Sequence, residues 1–210
     1  MEPTIHKPSA YNTPGIYKGA GGIYKGRGVY NDGGKNIVEF GGIKYGFVKI
    51  GNLLWITENL KNYTSGALFY NNSEEYAELG YLYPRTAIIK TTDTQSDFIL
   101  SLIHDGWRVP TKSDFESLLN IPIEELKTKY GWPTPGNNKS GFNGYLSGYR
   151  GWGGGWGFDA SPFFSQTVIY GGIGYSAGIN DDSFVITSDP VDCLVNEGKR
   201  LRAVRLCKDV

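Results

Sequence analysis

The chain has few of the residues that hold structural metals and no imbalance of charge. It contains two cysteines, two histidines and one methionine in 210 residues. A structural zinc centre takes four cysteine or histidine ligands at short spacings, so a self-contained zinc cluster is excluded. The 21 basic and 21 acidic residues cancel to a formal net charge of zero. This balance argues against a broad electrostatic surface for nucleic acid or an anionic membrane.

Long apolar runs and targeting signals are missing as well. No run approaches the roughly 18 apolar residues that a transmembrane helix requires. The sequence begins Met-Glu-Pro-Thr, which matches neither a signal peptide nor a lipid-attachment motif. We therefore expect a protein without membrane insertion that works where it is made or leaves the cell within an assembly, unless a leader precedes this sequence.

Glycine and aromatic residues are abundant instead. The chain has 30 Gly, 15 Tyr, 10 Phe and 5 Trp. Glycine is at about twice its average frequency, whereas the aromatic content argues against a disordered linker. The composition is typical of a loop-rich β protein that binds through aromatic side chains, although the same rings could equally form the core.

The first 35 residues differ from the rest and contain a repeat. Gly15–Gly21 reads GIYKGAG and Gly22–Gly28 reads GIYKGRG. Such short repeats cannot bury a core of their own, so segment 1–35 is predicted to be extended and ordered only against another surface. It is either a flexible tail or an attachment arm that docks into a larger assembly. The residues predicted to make the arm's contacts are Ile16, Tyr17, Ile23, Tyr24, Val29 and Tyr30.

Residues 36–210 are predicted to form one α+β domain. Gly41-Gly42 and Gly51-Asn52 predict two tight hairpin turns between apolar segments. Helices are expected after Thr92-Asp93, from Thr111 with a capping box to Asp114, and from Pro122 to Gly131. Residues 132–182 have no helical periodicity and are expected to be irregular. Closing strands are predicted at Ser183–Thr187 and Arg200–Cys207.

Six segments, in order, resemble motifs of the Fibrobacter succinogenes major paralogous domain family. IGNLLWITENL is the most extensive, and GWRVPTKSDFESL resembles the family's Gly-Trp-Arg motif. The six segments span about 45–210 and lie at 50–60, 80–83, 106–118, 140–150, 163–167 and 201–209. The resemblance implies a C-type-lectin-like fold, with a small twisted antiparallel sheet, two to three helices and a long irregular loop region that carries the binding surface. Such proteins are typical of gut Bacteroidetes and their phages, and some are diversified by retroelements.

Two departures from the family pattern concern a cysteine and an aromatic residue. The family often has Cys-Pro before the Gly-Trp-Arg motif, where this chain has Ile103-His104. The usual partner of Cys207 is then absent; Cys193 is an alternative partner, and a reduced pair is equally compatible with the sequence. Phe164 replaces a tryptophan of the family and keeps an aromatic side chain at that position.

The sequence does not predict an enzyme, a cofactor or a metal site. His104 is the only histidine of the domain, and its position beside Asp105 favours a surface or capping role. Asn180 to Ser183 offer oxygen ligands, but Ca²⁺ takes six to eight of them. The chain has no EF-hand loop and neither of the sugar-binding lectin motifs Glu-Pro-Asn and Trp-Asn-Asp. A solvated polar loop is therefore expected there.

The glycine-rich segment Gly151–Gly157 is the strongest candidate for a binding surface. It lacks the Lys-Ser/Thr of a phosphate-binding loop. Two tryptophans among five glycines are typical of aromatic contacts on an adaptable backbone. The predicted ligand-binding residues are Trp152, Trp156, Tyr170, Tyr175, Asn180, Asp181 and Asp182. Tyr149 and Arg150, which belong to a family motif, are expected to be structural.

The function expected from these features is non-catalytic recognition of a host glycan or protein. The arm and the sequence start favour a homo-oligomeric virion protein, such as a tail or head fibre, a receptor-binding protein or a decoration protein. The alternative is display on a bacterial surface. Two other hypotheses remain open. The loops could contact neighbouring virion subunits in a purely structural role, or the chain could be a secreted or pilus-type adhesin of gut Bacteroidetes.

Overall fold

A computed structural model describes most of the domain and little of the arm. The described residues are 18–19, 22–23, 36–91, 94–151, 153–169, 173–190 and 200–210. The strands are β1 Lys18–Gly19, β2 Gly22–Ile23, β3 Ile37–Phe40, β4 Ile43–Ile50, β5 Leu53–Ile56, β6 Tyr83–Pro84, β7 Ile89–Thr91, β8 Thr94–Gln95, β9 Tyr149–Arg150, β10 Trp156–Gly157, β11 Ser161–Ile169, β12 Ile173–Ile179, β13 Phe184–Pro190, β14 Leu201–Arg202 and β15 Cys207–Asp209. The helices are α1 Asp97–Leu102, α2 Lys112–Glu116 and α3 Ile123–Leu126, with 3-10 helices at Tyr70–Asn72, Glu74–Leu79 and Arg85–Ala87. These elements form an α+β fold, as the sequence predicts.

The main sheet joins the start of the domain to its end. Its order is β15-β5-β4-β3, and every neighbouring pair is antiparallel. The two predicted hairpins are confirmed, because Gly41, Gly42 and Gly51 all have positive φ, as two-residue hairpin turns require. The closing strand predicted at Arg200–Cys207 is confirmed only at its two ends, as β14 and β15, which belong to different sheets. In the main sheet, Cys207 of β15 pairs with Trp55.

Two further sheets contain the other long strands of the domain and most of the strands after residue 148. One has the order β10-β9-β14-β6, and the other, β11-β12-β13, is antiparallel. An isolated parallel bridge between Phe163 and Ala203 connects them. The expectation of irregular chain over 132–182 is therefore wrong for the β9–β10 pair and for β11 and β12, whereas β13 confirms the strand predicted from Ser183.

The reason lies in the small residues of β12. On one face of this strand, Ala177 and Ile179 enter the core. On the other face stands Gly174, where an added Cβ would lie 2.4 Å from the Arg85 guanidinium carbon. The strand alternates Ile173, Tyr175, Ala177 and Ile179 with Gly174, Ser176 and Gly178. The alternation is a strand pattern, which the glycines and the serine, typical of loops, obscure.

The helices agree with the sequence at their starts more than at their ends. Thr111 and Asp114 form the predicted capping box at the start of α2. The first helix begins later than expected, with Ser96 as its N-cap. The third helix ends at Leu126, not at Gly131, because Lys127 is extended and the next N–H, that of Thr128, donates to the Gly144 carbonyl.

A buried arginine organises the centre of the domain. Arg205 is fully buried and donates hydrogen bonds to the Asn59 side chain and to the carbonyl oxygens of Ile56, Phe142 and Asn143, all at 2.8–2.9 Å. Its acceptors in these bonds are neutral, and burial lowers the pKa of Arg205 to about 10. The guanidinium thereby ties the closing segment to β5 and to the chain around residue 142.

Two tryptophans of the family-like motifs lie in the core. Trp55 and Trp107 are both buried. The Trp55 ring lies 5.5 Å from the rings of Phe115 and Phe142, and Trp107 packs edge-on against Phe40. The two tryptophans therefore belong to the core and not to a binding surface.

Little of the predicted arm is described. Within segment 1–35 the structure gives only the antiparallel pair of β1 and β2. Ile23 lies in β2, and the other predicted contact residues Ile16, Tyr17, Tyr24, Val29 and Tyr30 lie outside the described residues. Elsewhere in the described chain, no helix has the length and apolar character needed to span a membrane.

Candidate functional site

Four half-buried aromatic rings meet beside the glycine-rich hairpin. Tyr70 stands at the centre, with its ring centroid 4.9 Å from that of Tyr76, 5.5 Å from that of Trp156 and 4.5 Å from that of Phe158. Tyr76 and Phe158 are also neighbours, at 5.9 Å. We call Tyr70, Tyr76, Trp156 and Phe158 the aromatic cluster. Its members come from the 3-10 helices near residue 70 and from β10 and the residue after it.

Glycines in and beside the hairpin let aromatic rings lie against the backbone. At Gly148, whose φ is +67°, an added Cβ would lie 2.5 Å from Tyr70 and 2.8 Å from Phe158. At Gly157 a Cβ would lie 2.4 Å from the Tyr149 ring. Real Cβ atoms do not approach other atoms so closely. Only glycine at these two positions therefore allows the rings to pack against the backbone.

Arg150 holds the turn that connects β9 to β10. Its Nε donates to the Gly154 carbonyl oxygen at 3.1 Å, and its guanidinium carbon lies 5.7 Å from the centre of the Trp156 ring. The turn is closed by the Gly151 N–H, which donates to Gly155 at 2.8 Å. Trp152, the other tryptophan of this turn, lies outside the described residues. Arg150 thus contacts both the backbone of the turn and the ring of Trp156.

Polar groups border the cluster. Burial raises the pKa of Tyr70, and the nearby Tyr76 and Asp159 raise it further. Burial and Asp159 likewise raise the pKa of Tyr149. Both phenols therefore keep their protons at neutral pH and can donate and accept hydrogen bonds. With the exposed Asp159 carboxylate, they place hydrogen-bonding groups next to ring faces.

Asp181 is engaged within the protein. Its carboxylate accepts from the Thr134 N–H at 2.9 Å, from the Thr134 hydroxyl at 2.7 Å and from Lys127 Nζ at 3.0 Å. The Lys127 side chain is 1% exposed and the Asp181 side chain is 37% exposed. Lys127 Nζ also donates to the Asp181 carbonyl oxygen and lies 5.2 Å from the centre of the Trp132 ring. This group of contacts joins the chain after α3 to the turn between β12 and β13.

The other predicted ligand-binding residues lie in different surroundings. The ring of Tyr175, on β12, is half-buried, with Lys112 Nζ 5.2 Å from its centre. Asp182 is exposed and accepts from the Ser183 hydroxyl at 3.0 Å, and the Asn180 N–H donates to the Ser183 carbonyl oxygen. Tyr170 lies outside the described residues. Trp156 thus belongs to the aromatic cluster, while Tyr175 and Asp181 have other neighbours.

The polar residues of the Gly-Trp-Arg motif form a partly buried ionic contact. The Arg108 guanidinium pairs with the Asp114 carboxylate and with Asp209, and it donates to Cys207 Sγ at 3.3 Å. Burial raises the pKa of Asp114, but hydrogen bonds from Arg108 and Thr111 outweigh it and hold that pKa below its usual value. The contact fastens α2 to the closing strand.

The Cys207 thiol lies next to the Arg108 guanidinium and the Asp114 carboxylate. Cys207 is a buried free cysteine, and burial, followed by the nearby Asp114, raises its pKa. A thiol held in its protonated form is a poor nucleophile. Cys193, the alternative disulfide partner, lies outside the described residues.

A second aromatic row lies elsewhere on the surface. The rings of Phe69 and Tyr81 are stacked at 4.2 Å, and Tyr63, which is 67% exposed, meets Tyr81 edge-on at 5.6 Å. The row continues from Tyr81 to the buried Tyr83, at 6.2 Å between centroids, and so leads into the core. Tyr63 is therefore a matched aromatic control for experiments on the cluster.

Comparison with known proteins gives no relative for this chain. Protein-family models, curated proteins and solved structures all yield no match. Among the described residues, no group of three or more His, Cys, Asp or Glu side chains is placed to hold a metal ion.

Sequence reasoning missed Tyr70, Tyr76 and Phe158 as members of the site. The signal for Phe158 is its position directly after the glycine-rich segment. Tyr70 and Tyr76 stand in a polar segment, FYNNSEEY, whose aromatic residues are separated by exposed asparagines and glutamates. Their contact with Trp156 depends on the tertiary fold, and no local pattern reveals it.

Proposed function

We propose that the chain is a non-catalytic recognition module with a C-type-lectin-like fold, which binds a host glycan or protein through the aromatic cluster. The observation that carries the proposal is the half-buried position of four rings that touch one another beside a glycine-rich turn. The ordered family motifs support the lectin-like part of the proposal, as does the pairing of the closing strand with β5.

The chemistry of the site suits a ligand with both apolar and hydroxyl surfaces. Trp and Tyr rings provide large contact areas at a low cost in side-chain entropy. The Tyr70, Tyr76 and Tyr149 hydroxyls and the Asp159 carboxylate can hydrogen-bond to the rim of a bound group. A sugar ring presents such an arrangement, with C–H faces and a rim of hydroxyls, and an aromatic or amide side chain of a protein presents it in part.

The polar residues that a catalytic site would use are committed to structural contacts. Lys127 and Asp181 bind each other, Arg108 binds Asp114, and the Cys207 thiol is buried in its protonated form. These assignments support binding in preference to catalysis at these positions. Tyr70, Trp156 and Phe158 pack against the buried core on one side, and a ligand would contact the part of these half-buried rings that solvent reaches.

We further propose that the module is carried on a phage particle, with segment 1–35 as its attachment arm. The sequence repeat, with apolar-aromatic pairs on a glycine-rich backbone, supports docking by added strands or small pockets. Deletion of residues 1–35 should abolish incorporation into particles while the domain still folds. Normal incorporation of the truncated protein would contradict the attachment role.

Binding is tested with the full chain on an array of bacterial surface glycans and on outer-membrane preparations from gut Bacteroidetes. Removal of a central aromatic side chain costs about 2 kcal/mol, so Trp156→Ala should weaken binding about 30-fold. The double variant Trp152→Ala/Trp156→Ala should abolish binding. Tyr63→Ala removes an exposed ring of the second aromatic row and should bind as the wild type does.

Two results would contradict the recognition role. Equally weakened binding in Tyr63→Ala would mean that any exposed ring matters, and unchanged binding in the double tryptophan variant would place the ligand elsewhere. If no surface preparation binds and Trp156→Ala instead blocks particle assembly, the structural virion hypothesis replaces recognition.

A further inference from the structure

Both ring nitrogens of His104 have close partners. His104 follows α1, in the connection that leads to Trp107. Nδ1 lies 2.7 Å from the Asp105 carboxylate, and Nε2 lies 2.8 Å from the carbonyl oxygen of Glu39 in β3. The ring also packs against Phe40, at 5.6 Å between centroids. His104 therefore links its own connection to the first strand of the domain.

The chemistry of the two partners favours the protonated form of the ring. A carbonyl oxygen and an ionised carboxylate carry no proton, so each can only accept a hydrogen bond. Both contacts are hydrogen bonds only when both ring nitrogens donate, and only the imidazolium form has two N–H groups. In a neutral ring, one nitrogen lone pair would face one of these two oxygens.

The Glu39 carbonyl lies on the outer edge of the sheet. Phe40 and Ile43 flank the two-residue turn, so the next pair, Glu39 and Lys44, is a non-hydrogen-bonded pair. The main-chain groups of Glu39 consequently point away from β4. Among the described strands, β3 pairs with β4 alone. His104 thus caps an edge that would otherwise be open to pairing with another strand.

We propose that protonated His104 is a clamp on the outer edge of β3, and that the clamp loosens when the imidazole loses a proton. The contact between His104 and Glu39 therefore holds β3 more strongly at low pH than at high pH. This strand is the first one after segment 1–35. It does not rest on the proposed binding function.

The charges around the ring agree with this role. The hydrogen bond to Glu39 and then the Asp105 carboxylate raise the pKa of His104, while Lys208 of β15 opposes them. Glu39 and Lys44 are the other charged residues of this edge. Since the folded-state pKa is raised, the contribution to stability is complete below the unfolded value of about 6.5 and is lost as pH rises through the folded-state pKa.

The first test is an NMR titration of the histidine ring signals in the full chain. The variant His6→Gln assigns the signals, because the chain has only two histidines. We expect a midpoint above about 6.5 for His104. We also expect the amides of 36–40 to exchange faster, after correction for intrinsic exchange, once the pH passes that midpoint. A midpoint at or below the usual value, or protection of 36–40 that ignores the titration, would overturn the clamp.

Asp105→Asn is the matched variant. Asp105 has a φ of +53°, a conformation that asparagine also tolerates, so the backbone is kept while the charge is removed. The midpoint of His104 should fall, and the change in protection of 36–40 should move to lower pH with it. If the midpoint falls and the protection profile stays where it was, His104 does not control the edge.

Discussion

The contact between Lys127 and Asp181 makes an asymmetric prediction about stability. Replacing Asp181 by alanine leaves a 1% exposed ammonium group without its carboxylate, whereas replacing Lys127 by methionine leaves a carboxylate that water can reach. Unpaired buried charge is far more costly than unpaired surface charge. Asp181→Ala should therefore destabilise the domain more than Lys127→Met does.

The expected magnitude is that of three hydrogen bonds to one carboxylate. Asp181→Ala removes the bonds from Lys127, from the Thr134 N–H and from the Thr134 hydroxyl. Partial exposure of the carboxylate discounts each bond to about 1 kcal/mol, so the free energy of unfolding should fall by about 3 kcal/mol at pH 7. Lys127→Met keeps a similar side-chain volume and should lower the free energy of unfolding by only about 1 kcal/mol. The loss is small because the variant no longer has to bury an ammonium group. The double variant should be about 1–2 kcal/mol more stable than Asp181→Ala.

Urea denaturation at several pH values measures these differences. Burial raises the pKa of Asp181, but Thr134 and Lys127 outweigh it and hold that pKa below its usual value. The carboxylate's contribution is therefore present above the unfolded pKa of about 3.9 and lost as pH falls through the folded-state value. Asp182→Ala, at the exposed neighbour, is the control and should change stability by less than about 0.5 kcal/mol. An equal or larger destabilisation in Lys127→Met would refute the reasoning.

Three further predictions concern the core, the cluster and metal. Trp55→Ala or Trp107→Ala should each lower the free energy of unfolding by about 3–5 kcal/mol in the same assay, since both rings are buried; a decrease below about 1 kcal/mol would contradict their place in the core. Gly148→Ala should destabilise the domain by more than about 1 kcal/mol and alter its near-UV circular dichroism, because the added Cβ would clash with the Tyr70 ring. An unchanged spectrum would contradict the packing of Tyr70 against Gly148. EDTA should leave the melting temperature unchanged, and a large drop would indicate a metal that these residues do not explain.

The parts of the fold that the sequence predicts are those governed by local chemistry. Gly41-Gly42 forms a tight turn because both residues need positive φ, and Thr111 with Asp114 satisfies the N-terminal amides of α2 within four residues. The end of the closing strand is predicted from its own segment, Arg200–Cys207, and from the motif at 201–209. In all three cases, the information lies in a short stretch of chain.

The parts that the sequence does not predict depend on contacts between distant residues. Arg205 has the sequence character of an ordinary surface charge, yet its burial is set by acceptors from β5 and the chain near residue 142. Asp181 has the character of a solvent-exposed ligand for sugar or metal, and only the fold brings Lys127 and Thr134 to it. The aromatic cluster is hidden in the same way, since Tyr70 and Trp156 are far apart in the chain.

Hydroxyl-radical footprinting of the full chain tests the central claim most directly. The protein is probed alone and with the glycan or outer-membrane preparation that it retains most strongly in the binding assay. The account predicts that Trp156, Tyr70, Tyr76 and Phe158 become protected together while Tyr63 is oxidised as before. Protection of Tyr63 with no change at Trp156 and Tyr70 would contradict the assignment of the binding surface to the aromatic cluster.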